Sequence, residues 1–131
     1  MKQEQKKLIY FDLDVWKVSH KFVLKIYRIT KRFPKEEIYG LTFQIRRAAS
    51  SIPANIAEGN GKQYLRGYIH SLYISKGSLN EVGYFLLLSR DLEYLDNENY
   101  EDLITLLDRI SLMLMALISS LKIKNKYQKA H

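Results

Sequence analysis

The stretch SSIPANIAEGNG, Ser50 to Gly61, places a proline inside an apolar stripe that does not break. Leu41, Ile45, Ala48, Ala49, Ile52 and Ile56 fall on one helical face at about 100° per residue. A loop at Pro53 would reset the phase of that stripe, and the phase is kept. The spacing therefore predicts one helix over about residues 39–60, bent at Pro53. Pro53 has no N–H to give the Ala49 carbonyl, and its ring crowds that carbonyl. Ser50 and Ser51 are suited to absorb the bend, because serine hydroxyls bond back to carbonyls one turn earlier. The alternative is a break at Ser50-Ser51 with a new helix opening at Pro53, a position where proline is tolerated. A second stripe of small residues, Ser50, Ala54, Ala57 and Gly61, lets another helix come close. On this reading Pro53 sets the bend between a core-facing side and a second packing side.

Three further segments carry the same kind of signal. Val15, Val18, Phe22, Ile26, Ile29 and Phe33 predict a helix over about 14–33, capped by Asp12 or Asp14 and ended before Pro34. Gly59 and Gly61 mark the end of the second helix. A third helix is expected over about 64–94, with Leu65, Ile69, Leu72, Leu79, Leu86 and Leu87 on one face. Gly77 and Gly83 lie within it, and interior glycines point to close helix approach. Lys76 falls on that apolar face, to snorkel outward or to pair with Glu58 or Glu81. Asp96 or Asn97 caps the fourth helix, expected over about 97–122. Its seam of Tyr100, Leu103, Leu107, Ile110, Leu114, Leu117 and Leu121 alternates steps of three and four, as left-handed bundles require. Residues 122–131 read as a basic, frayed tail. Four helices with short connections predict an all-α, antiparallel up-down-up-down four-helix bundle.

The chain has 131 residues, a length that fits one domain and a sizeable core. It has no cysteine, which excludes disulfides, thiol catalysis and zinc–thiolate sites. No apolar run approaches the roughly 20 residues a membrane span needs, and the N-terminal stretch lacks an apolar signal-peptide core. No membrane partner and a cytoplasmic location are the resulting expectations.

Catalytic signatures are missing. Di-metal bundles place Glu-x-x-His pairs in the core, but Lys17 stands three residues before His20 and Gly67 three before His70. GNGK at residues 59–62 fails the phosphate-loop pattern, with Ile56 and Gln63 at the positions needing Gly and Ser/Thr. No serine has a histidine nearby in sequence to act as its base. The expectation is a chain with no catalytic residues, no metal and no cofactor.

The formal net charge is +7, and its distribution is uneven. Residues 1–35 hold ten Lys/Arg against three Asp/Glu, whereas residues 36–131 hold eleven of each. Within the latter, residues 122–131 contribute +4, leaving 36–121 at −4. Lys17, Lys21, Lys25, Arg28 and Arg32 recur at steps of four, four, three and four, with Lys31 beside them. Like charges so placed repel by a few tenths of a kcal/mol per neighbouring pair, roughly. Binding phosphates offsets that repulsion through counterion release. Arg46 and Arg47 either extend this surface or pair with Glu58 or with acids of the next helix. No aromatic residue is interleaved on the stripe itself, so the expected ligand is the backbone of structured RNA or duplex DNA rather than stacked bases.

The segment YGLTFQIRRAASSIPANIAEGNG, followed by SLYISKGSLNE, closely resembles a small bacterial family of four helix bundle proteins, also called 23S rRNA intervening-sequence proteins. The resemblance runs from about Leu13 to Leu121. Its most specific part is Arg46-Arg47-Ala48-Ala49 with Ser51-Ile52-Pro53 and Asn55-Ile56-Ala57-Glu58-Gly59. Gly77-Ser78-Leu79 and Glu81 match a second motif. Lys76 stands where other members often carry arginine. The resemblance implies a four-helix bundle that assembles as a homopentameric ring, with no established enzymatic activity. It extends to the accessory variability determinant of diversity-generating retroelements, a basic pentamer that works with a reverse transcriptase and nucleic acid. Two functions follow as expectations. The first is a non-enzymatic, ring-forming protein that binds nucleic acid, RNA or DNA, through the first helix. The second is a scaffold or accessory subunit whose basic face docks a protein partner such as a reverse transcriptase.

Overall fold

A computed structural model describes Tyr10 and residues 13–130. Four helices make up the fold: α1 (Asp14–Thr30), α2 (Leu41–Asn60), α3 (Leu65–Asp91) and α4 (Asn97–Ala130). A short 3-10 turn, Lys35–Glu37, lies between α1 and α2, and no strand occurs among the described residues. Each helix packs on two neighbours, α1 on α2 and α4, and α3 on α2 and α4, and the backbones of the diagonal pairs stand farther apart. Chain neighbours that lie side by side across short connections give the up-down-up-down bundle.

α2 runs through Pro53 without interruption, which removes the alternative of a break at Ser50-Ser51. All six residues of its apolar stripe are buried, and so is Pro53. Side chains supply hydrogen bonds around the proline. Ser50 Oγ donates to the Arg46 carbonyl at 2.8 Å, and Asn55 Nδ2 donates to the Ser51 carbonyl at 2.8 Å. From α3, Ser75 Oγ donates to the Ile52 carbonyl at 2.8 Å, and Ser78 Oγ meets Ser51 Oγ at 2.9 Å. Small polar side chains on α3 thus serve both close packing and backbone satisfaction. α2 and α3 come close at Gly59, where a Cβ would stand 2.7 Å from Ser71 Cβ.

The helix ends have identifiable causes. Glu37 Oε1 accepts the Leu41 N–H at 3.2 Å and so caps α2, in space that a Cβ at Gly40 would enter at 2.6 Å. Asp96 Oδ1 accepts the Asn99 N–H at 2.7 Å and caps α4. Glu93 adopts a left-handed φ of 66° as α3 ends, and the N–H groups of Tyr94 and Leu95 turn back to the Ser89 carbonyl.

Several expectations shift. α1 ends at Thr30, because Lys31 to Phe33 form a turn before Pro34. Asp14 is the first helical residue and makes no capping bond; Asp12 lies outside the described residues. α2 begins at Leu41 rather than Tyr39, and Gly61 ends it with φ of −85°, not in the left-handed region. α3 opens at Leu65 and closes at Asp91. In α4, Ile118 is buried in the seam where Leu117 was expected, and Leu117 is half-buried. The buried set Leu103, Leu107, Ile110, Leu114, Ile118 and Leu121 follows a 3.6-residue period, from which a strict heptad drifts.

α4 also continues to Ala130, so the expected frayed tail is helical through that residue. α4 contains an 18-residue window of mean hydropathy 1.7, long and apolar enough by those measures to cross a membrane. Asp108 and Arg109 interrupt the apolar run in sequence and so hid this property. Its seam is buried in the bundle.

Candidate nucleic-acid interface

The apolar side of α1 fixes which residues face outward. Val15, Ser19, Phe22, Ile26 and Thr30 are buried against the bundle. Lys17, Lys21, Lys25, Arg28, Lys31 and Arg32 are consequently all exposed, the last two in the turn after the helix. Among the described residues, the ion pairs are Arg47–Glu81, Lys62–Glu58 and Arg90–Asp91, and none involves this group of six. Their charge is balanced by no carboxylate within bonding reach among those residues.

One end of the stripe borders a cleft between α1 and the start of α4. Lys25, Arg28 and Arg32 line one wall and Asn99, Asp102 and Leu103 the other, around a volume of about 260 Å³. The cleft is open to solvent and holds cations next to one carboxylate, a setting for a polar or anionic group rather than an apolar one.

Arg46 and Arg47 have separate roles. Arg46 Nε donates to Thr30 Oγ1 at 2.8 Å, one of its terminal nitrogens donates to the Tyr27 carbonyl at 3.3 Å, and its guanidinium lies 4.8 Å from the Tyr27 ring centroid. It ties α2 to the C-terminal turn of α1, where a cation also complements the helix dipole. Arg47 reaches Glu81 of α3 at 2.7 Å, realising the pairing alternative expected for it. Glu58 pairs with Lys62, so neither acid suggested for Lys76 takes it as partner.

The small-residue stripe is divided in the same way. Ala54 and Gly61 are exposed, Ser50 and Ala57 are half-buried, and Pro53 is enclosed within the subunit. A Cβ at Gly77 would meet nothing within 4 Å, and one at Gly83 only Leu107 Cδ2 at 3.6 Å. The interior glycines of α3 therefore do not mark close approach within the subunit.

Sequence reasoning passed over the aromatic residues flanking the stripe. The Trp16 and His20 rings stack with centroids 5.2 Å apart and planes 7° apart, and Tyr27 is exposed further along α1. The available signal was adjacency: Trp16, His20, Leu24 and Tyr27 each directly precede a cation. At the α1–α2 end, Ile38 and Phe43 are exposed around a hollow that Tyr27 and Arg46 also line, and the neighbouring Tyr39 is 91% exposed. Among the described residues, no group of three His, Asp or Glu side chains is placed to hold a metal ion.

A four-helix bundle with a row of exposed cations along its first helix defines a class of small helical proteins. Within that class, the model of the 23S rRNA-intervening sequence protein family matches residues 11–116, and the chain belongs to that family. Among solved structures, the chain is similar to a protein of unknown function from the S23 ribosomal protein family of Bacteroides thetaiotaomicron. That match has 30% identity and a TM-score of 0.75, and covers 80% of this chain and 95% of the other. The comparison with curated proteins gives no match.

Proposed function

We propose that this protein is a non-enzymatic bundle that binds nucleic acid, structured RNA in preference, through the outer face of α1, and that its copies assemble into a ring. The observation that carries the binding reading is the row of six exposed cations on and just after α1, none with an ion pair among the described residues. Among those residues no ion pair within the subunit offsets these charges, and their mutual repulsion is relieved by phosphate. Ring assembly is supported by surfaces that the subunit leaves uncovered. Leu112 on the outer side of α4 is 74% exposed, while Ala54, Gly61 and Gly77 offer positions where another backbone can come close. Repetition of a weak cationic face around a ring adds avidity without new contacts.

Fluorescence anisotropy with a structured rRNA fragment and a matched DNA duplex tests the binding reading. Affinity should fall about 10³-fold or more between roughly 50 and 200 mM salt, as several phosphate contacts require. The Lys21→Glu/Arg28→Glu variant should lose most of it. Absence of binding at low salt rejects the reading. Native mass spectrometry tests the ring, which predicts five subunit masses.

A second reading, an accessory subunit for a partner enzyme such as a reverse transcriptase, is favoured by the exposed apolar side chains of Ile38, Tyr39 and Phe43. Recovery of a specific protein after nuclease treatment, abolished by Phe43→Glu but not by Lys21→Glu, would select it.

A further inference from the structure

We infer that the face of α1 holds unpaired nucleotides, with their phosphates on the cationic ridge and their bases on a parallel, mostly aromatic ridge. The inference rests on the nucleic-acid reading above and narrows its ligand class. Trp16, His20, Leu24 and Tyr27 stand immediately before Lys17, Lys21, Lys25 and Arg28. Consecutive helical residues are about 100° apart, so the two sets form adjacent ridges along one helix. Successive members rise by roughly 4.5–6 Å.

The ring ridge is accessible and partly fixed in place. His20 is exposed and lies parallel on Trp16, with centroids 5.2 Å apart. Trp16 is itself half-buried against the core, so the ring beneath His20 is anchored. Leu24 and Tyr27 are exposed, and the Arg46 guanidinium lies 4.8 Å from the Tyr27 ring centroid. A duplex offers this ridge only phosphates and sugars, because its base faces are already stacked. Unpaired bases present free faces that stack on any flat ring, independently of sequence. A ring already held against its neighbour loses little freedom when a base joins the stack.

Trp16 is the single tryptophan of the chain, so its emission reports on this ridge directly. The experiment titrates the full-length protein at about 50 mM salt with a 12-nucleotide oligoadenylate, with a base-free ribose-phosphate oligomer of equal length, and with an RNA duplex of equal strand length. The oligoadenylate should quench Trp16 and bind at least about 5-fold more tightly than the base-free oligomer, the effect of a single base stack. His20→Ala, an exposed substitution, should remove that advantage and leave base-free binding unchanged. Equal affinity for the oligoadenylate and the base-free oligomer, or tightest binding to the duplex, overturns the inference while the phosphate-binding reading stands. Binding of none of the three overturns both.

Discussion

Residues with similar charge have different roles here, and the difference is measurable. Arg46 holds two hydrogen bonds and a ring contact that join α2 to α1. Arg46→Ala should therefore cost about 1–2 kcal/mol in urea denaturation. Lys21→Glu removes an exposed cation from a crowded row and should stay within about 0.5 kcal/mol of wild type. Sequence spacing identified the outward face of α1, because burial of Phe22 and Ile26 forces Lys17 and Lys21 out. It left open what Arg46 and Arg47 would meet, since those partners lie on other helices, 16 and 34 positions away.

Glycines divide in the same way. Gly59→Ala drives a Cβ to 2.7 Å from Ser71 Cβ and 3.2 Å from the Tyr68 carbonyl, and should cost about 1–3 kcal/mol as the α2–α3 pair moves apart. Gly77→Ala enters open space in a helix interior and should stabilise the isolated subunit by up to about 1 kcal/mol. Thermal unfolding of both variants checks the contrast.

Tyr94 adds a pH dependence. Partial burial and the adjacent Glu37 carboxylate, whose Oε2 accepts the phenol proton at 3.1 Å, raise its pKa above 10.0. The folded chain then keeps a proton that the unfolded chain releases near that value, so this contribution to stability is complete below about pH 10 and fades as pH rises further. Tyr94→Phe should show a shallower alkaline loss of stability than wild type when the two are compared by denaturation between about pH 9 and 11.

Among the helices, the pairing of α2 with α3 is the most developed contact of the bundle, and it was only half legible. The continuity of α2 through Pro53 could be read from the phase of Ile45, Ile52 and Ile56. The contribution of α3 could not, because its buried side includes Ser71, Ser75 and Ser89, which hydropathy counts as polar. Their small size permits close approach, and the hydroxyls of Ser75 and Ser89 bond to carbonyls. Ser75→Ala should cost about 0.5–1.5 kcal/mol by removing the bond to the Ile52 carbonyl beside Pro53, again measured by denaturation. In α4 the seam was legible up to Leu114. Beyond it Leu117 and Ile118 compete, and neighbouring apolar residues carry no phase information until the packing partner is known.

Across the molecule as a whole, charge is segregated. Cations gather on the outer side of α1 and on the last turns of α4, where Lys122, Lys124, Lys126 and Lys129 lie, while carboxylates lie mostly on α2, α3, the first turns of α4 and the connections. The cationic surface was legible because a helix has only one outward side. The aromatic ridge shares the four-, four- and three-residue steps of the cationic line one position before it, but Leu24 interrupts its rings and the stack of Trp16 on His20 shows only in three dimensions. The cleft with Asn99 and Asp102 was out of reach of spacing arguments, since it depends on where α4 begins beside α1.

The sharpest check on α1 as the binding face is the salt dependence of RNA affinity in wild type and in the Lys21→Glu/Arg28→Glu variant. If α1 meets phosphates, the slope of log affinity against log salt should be steep for wild type. In the variant it should be shallower by about 1.5 or more, near 0.7–0.9 for each phosphate no longer neutralised. An unchanged slope would place any RNA on another surface and contradict the assignment of α1 as the binding face.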